Sequence, residues 1–125
     1  MNNISLLFGR ILLVLMFLLA GINKITGYAG TQAYMESMGV NAMLLPLVIA
    51  LQIGAGLAII IGWQTRWAAY ALALFTLLAA FLFHFNFAEQ MQMILFMKNI
   101  AIVGGFLLLS VAGPGLYSLD ARRQR

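Results

Sequence analysis

Cysteine is absent from this chain, histidine occurs once, and only three of its 125 residues are acidic. Each shortage removes a class of chemistry. Without cysteine the chain supplies no disulfide, iron–sulfur cluster or thiol redox couple of its own. With His84 alone, one subunit cannot hold a bis-histidine haem, and a metal site drawn from His84, Glu36, Glu89 and Asp120 would be poor. No acid falls inside an apolar run. That excludes catalysis by paired intramembrane carboxylates and disfavours a self-contained proton-coupled transporter, which typically carries an intramembrane Asp or Glu. Charged residues are 8% of the chain, where a soluble domain has about a quarter.

What is abundant is apolar surface. Hydrophobic residues make up 64%, more than so short a chain could hide in water. The solvent is therefore lipid, in which only helices or closed barrels satisfy their own backbones. Barrel strands alternate in polarity. The apolar runs here are continuous and about 20 residues long, as a spanning helix requires. Four spans are expected, roughly Ile4 to Ile22, Ala42 to Gly62, Trp67 to Phe85 and Met93 to Ala112. The expected architecture is an all-α four-helix transmembrane bundle, one domain over residues 1–125. A signal-peptide reading of the first span is opposed by Arg10 within it and by Gly21-Ile22-Asn23-Lys24, which reads as a helix end.

Punctuation between the spans is informative. In the stretch Thr26 to Asn41, Thr31 suits an N-cap and Gly39 a stop, which predicts a short helix. It either lies at the interface over the mouth of the bundle or simply connects two spans. Pro46 falls in the first turn of the second span, where proline is tolerated. Ala50, Gly54, Ala58 and Gly62 line one face of that span, a spacing that lets another helix approach closely. Trp63 to Trp67 forms a polar turn with tryptophans at headgroup level. Asn86 to Gln92 forms a second turn, and Gly113-Pro114-Gly115 ends the fourth span.

Arg66, Arg122, Arg123 and Arg125 share one side of such a bundle, with Arg10 nearest to it, while Glu36 and Glu89 lie on the other. The arginine side is expected to be cytoplasmic, with both termini. The net charge of +4 is read as topology signal, not as affinity for nucleic acid.

Chemistry is confined to the polar residues in or beside the spans: Arg10, Lys24, Gln52, His84, Lys98 and Asn99. Lys24, His84 and Lys98 fall in the outer part of the bilayer, Asn99 slightly deeper and Gln52 near the middle. If they face inward, they form a cationic, hydrogen-bonding pocket with apolar walls. Such a pocket suits a flat, mostly apolar molecule with a carbonyl, phenol or carboxylate head. Each residue also has a plainer reading. Arg10 and Lys24 snorkel to phosphates, His84 makes one interfacial hydrogen bond, and Gln52 bridges helices. Lys98 is the hardest to explain so, being a turn and a half inside its span with no acid nearby.

The order and spacing of several short motifs resemble the DoxX family of small four-helix bacterial membrane proteins, over nearly the whole chain. They are Gly21-Ile22-Asn23-Lys24-Ile25-Thr26-Gly27-Tyr28, Tyr34-Met35 with Met38-Gly39, Gly62 to Arg66, Phe81-Leu82-Phe83-His84, Lys98-Asn99 with Gly104-Gly105, and Gly113-Pro114-Gly115. The resemblance implies a bacterial inner-membrane location and an association with redox chemistry. Some members are described as the membrane subunit of a thiosulfate:quinone oxidoreductase, as partners in oxidative-stress complexes, or as quinol oxidase subunits. Relatives commonly carry glutamate where this chain has Gln52, which puts an acid/base role for the second span in doubt.

Two functional expectations follow. One is a redox-associated subunit that binds a quinone or similar aromatic at the outer polar cluster, its electrons coming from a partner or an unseen cofactor. The other is a non-enzymatic lipid- or small-molecule-handling protein, or a structural partner, assembling as a homo-oligomer or heteromer through Ala50, Gly54 and Ala58. A channel lacks support, since no ring of ligands would line a pore.

Overall fold

The computed structural model describes residues 2–84 and 88–123. Its elements are α1 (Asn2–Thr26), α2 (Tyr28–Ser37), a 3₁₀ turn (Ala42–Leu44), α3 (Leu45–Ile61), α4 (Thr65–Phe83), α5 (Gln90–Ala112) and α6 (Leu119–Arg123). Among the described residues four helices are long and apolar enough to cross a membrane, as expected. The expected end of the third span at Phe85, and Asn86 of the following turn, lie outside the described residues, as does Arg125.

Several boundaries differ from the sequence reading, each for a physical reason. The first span does not end near Ile22 but continues to Thr26. Gly21 serves instead as a close-approach site, because a Cβ there would stand 2.6 Å from Ile53 Cγ1 of α3. Thr31 does not cap α2, which starts at Tyr28; it lies in the second turn and donates its hydroxyl to the Gly27 carbonyl (3.0 Å). Gly39 does terminate the segment, with φ of 78°. Within α2 only Met35 is buried, while Tyr34 stacks on Phe83 of α4. The turn between α3 and α4 is shorter than expected, with Gly62 and Gln64 both at positive φ. The helix α6 was not anticipated.

Each span buries one stripe of residues spaced three and four apart. On α1 the stripe is Arg10, Val14, Phe17, Gly21 and Lys24; on α3 it is Leu45, Gln52, Gly56, Ile59 and Gly62. On α4 it is Thr65, Ala69, Leu72, Thr76 and Ala80, and on α5 it is Gln92, Asn99, Phe106 and Leu109. The most extensive packing joins α4 with α5 and α1 with α3, while α1 and α5 touch little. Val14, Phe17, Ile59, Leu72 and Phe106 form a dry middle layer, with the Phe17 and Phe106 rings 5.4 Å apart. The small-residue face of α3 divides. Ala58 and Gly62 are buried within the chain, whereas Ala50 is exposed and a Cβ on Gly54 would meet nothing within 4 Å.

Candidate functional site

The two ends of the bundle are built differently. At the end where α1 begins, the chain closes on itself. Arg10 is almost fully buried, and its guanidinium donates to the carbonyls of Pro114, Ile60 (3.0 Å) and Tyr117 (2.7 Å). Ile60 lies in the last turn of α3, whose carbonyls have no helical partner, so a cation there also complements the helix dipole. Asp120 makes the mirror-image contact. Its two carboxylate oxygens accept from the backbone N–H groups of Gln64 (2.8 Å) and Thr65 (2.9 Å), capping α4. The Asp120 N–H donates to the Gly62 carbonyl (2.8 Å), and Asn3 Oδ1 accepts from Leu116 N–H (3.1 Å). The two ends of the described chain thus meet at one end of the bundle.

The opposite half carries the inward polar groups, one from each span. Gln52 lies about 10 Å below the start of α3, and Thr76 about 10 Å below the end of α4, at 1.5 Å per residue. Asn99 is buried beside them and donates Nδ2–H to the Thr76 carbonyl (3.3 Å). Gln52 is buried against Gly21, and its Oε1 has no hydrogen-bond partner. Lys24 is half-buried one turn beyond Gly21 on the inward stripe of α1. Nearer the rim, His84 Nδ1, when it carries the ring proton, donates to Gln92 Oε1 (2.8 Å), tying the end of α4 to the start of α5.

Of the six residues singled out from sequence, Lys24, Gln52 and Asn99 lie on the inward stripes of this half, with Gln52 and Asn99 buried and Lys24 half-buried, and His84 stands at its rim. The other two are elsewhere. Arg10 belongs to the closure at the far end. Lys98 is exposed on the outside of α5, because it sits about 100° around the helix from Asn99 and only one of the two can face inward. Thr76 and Asp120 were missed. Thr76 had a signal, a hydroxyl within an apolar run at helical spacing from Leu72 and Ala80. Asp120 had none, since its partners are 55 and 56 residues away.

A model of the DoxX family matches residues 5–85. The chain belongs to the DoxX family. It is 57% identical over 120 residues to inner membrane protein YqjF of Escherichia coli (strain K12), covering 96% of this chain and 92% of that protein. It is 38% identical over 126 residues to inner membrane protein YphA of the same organism, covering 95% and 90%. No solved structure matches it. This DoxX-family chain is thus a small inner-membrane protein, and neither relative's name assigns a reaction. Among the described residues no three His, Cys, Asp or Glu side chains come together.

Proposed function

We propose that the chain is a membrane-embedded binding subunit whose polar half holds a flat, mostly apolar molecule with an oxygenated head, of the quinol or quinone class, for a redox partner. The observation that carries this reading is the Gln52 amide. Its Oε1 is buried with no partner, and an unmet buried polar group costs about 1–3 kcal/mol. A hydroxyl on a bound ring would donate to it, with Asn99 and Lys24 as donors to a second oxygen. The chain's own residues would bind and orient the head group; electron transfer would fall to the partner. Arg66 and Arg122 at the closed end support a cytoplasmic location for both termini, with the polar half toward the outer leaflet.

The test is to extract the protein into lipid nanodiscs and identify retained small molecules by mass spectrometry. Gln52→Leu should release a quinol-class molecule that wild type retains, with helical content unchanged. Lys98→Ala, altering an outward residue, should retain it. Wild type that carries only bulk phospholipid, or a ligand indifferent to Gln52→Leu, would overturn the reading.

A second reading, a structural partner protein, draws on the open half of the α3 face. Ala50 is exposed and a Cβ on Gly54 would meet nothing within 4 Å, so a helix of another subunit could approach there. Gly54→Leu should then break an assembly seen by native mass spectrometry. A wild-type monomer would remove this reading.

A further inference from the structure

The closed end bears an open cleft of about 490 Å³ between the start of α4 and the end of α5. Gln64, Arg66, Trp67, Ser110, Pro114 and Asp120 line it. The Tyr70 hydroxyl lies beside both the Arg66 and Ser110 side chains. Among the described residues Arg66 and Asp120 form no ion pair with each other, and both Asp120 oxygens accept from backbone N–H groups. The cleft therefore presents a cation and a carboxylate that are not spent on each other.

We infer that this cleft is a binding site for one phospholipid with a zwitterionic, primary-amine headgroup, of the phosphatidylethanolamine type. The phosphate takes Arg66, which the Tyr70 hydroxyl positions; the ammonium takes Asp120 and Ser110. The donor and acceptor counts support this division. The Asp120 oxygens each accept one backbone N–H and keep a second lone pair for an ammonium proton. Ser110 donates its hydroxyl proton to the Leu107 carbonyl (2.7 Å), so its Oγ faces a ligand as an acceptor. The Tyr70 hydroxyl, beside Ser110 Oγ, has that oxygen as the acceptor for its one proton, so Arg66, with five N–H groups, is the group left to donate to phosphate oxygens.

The surroundings identify the ligand as a lipid. The cleft lies at the first turn of a spanning helix, where headgroups lie. Trp67 is 65% exposed, with its ring 6.0 Å from that of Tyr70, and aromatic pairs of this kind sit at the bilayer interface. One turn deeper, Leu74 on α4 and Leu107 and Leu108 on α5 face outward as a bed for acyl chains. Headgroup class follows from charge. An anionic lipid would place its phosphate near Asp120 with no cation of its own. A choline headgroup carries positive charge but has no N–H to donate.

The test uses nanodiscs with equal parts phosphatidylethanolamine, phosphatidylcholine and phosphatidylglycerol, matched in acyl chains, and native mass spectrometry of the released protein. Wild type should carry a single phosphatidylethanolamine adduct, enriched several-fold over the other two. Arg66→Gln should bring the adducts to the bulk ratio, and Tyr70→Phe, which keeps the ring, should lower the enrichment partway. Asp120 is left intact because it caps α4. Adducts at the bulk ratio in wild type, preference for phosphatidylglycerol, or enrichment unchanged in Arg66→Gln would overturn the assignment. This outcome is independent of whether the polar half binds a quinol.

Discussion

Replacing Arg10 with methionine keeps an unbranched apolar stem and removes the charged guanidinium. Arg10 joins α1 to the last turn of α3 and to the segment after α5 through three carbonyls. Hydrogen bonds to a charged group contribute about 1.5–3 kcal/mol each. The full gross value is not lost, because Tyr117 lies at the exposed rim and its carbonyl regains water. The expected destabilisation is therefore about 3–5 kcal/mol, the range seen when one partner of a buried charged contact is removed. Arg10→Lys keeps the charge but replaces a planar fork with a single ammonium, so it should recover only part of the loss. The assay is unfolding by sodium dodecyl sulfate in mixed micelles, followed by circular dichroism, with hydrogen exchange across 113–123. Arg10→Met should lower the midpoint and speed exchange in that segment. An unchanged midpoint with unchanged exchange would refute the clamp and return Arg10 to a snorkelling surface cation.

Three further substitutions separate packing from capping. Gly21→Ala should lower stability by about 1–3 kcal/mol in the same assay, since its Cβ would meet Ile53 at 2.6 Å, whereas Gly54→Ala should be near neutral in the monomer. Asp120→Asn should cost about 1 kcal/mol through the weakened cap of α4, read as faster exchange at Gln64 and Thr65 with little change at α5.

The four spans were legible because lipid leaves a long apolar helix few alternatives. The inward stripes were legible in part. On α1 the spacing of Arg10, Phe17 and Lys24 places them on one face, and that face is the buried one. On α5 the adjacent pair Lys98 and Asn99 could not both turn inward, and the choice was made by packing around Phe106. Helix ends were less legible because glycine has several uses. Gly21 looks like a stop and acts as a groove, while Gly62 caps α3 with φ of 76° and lies so close to Ser118 that a Cβ would stand 2.2 Å away. The closure by Arg10 and Asp120 could not be read at all. Its contacts join residues 50 to 107 positions apart, and nothing local marks them.

The dry layer of Val14, Phe17, Ile59, Leu72 and Phe106 has a consequence for traffic. It works as an insulator across the middle of the bundle. The tilted pair of Phe17 and Phe106 rings fills its centre, and a proton or ion crossing there would have to shed its hydration into hydrocarbon. On the proposed reading, whatever the polar half holds would arrive and depart sideways, through the lipid of a single leaflet. Any proton that accompanies it would return to the same aqueous side, so the polar half would serve one face of the membrane.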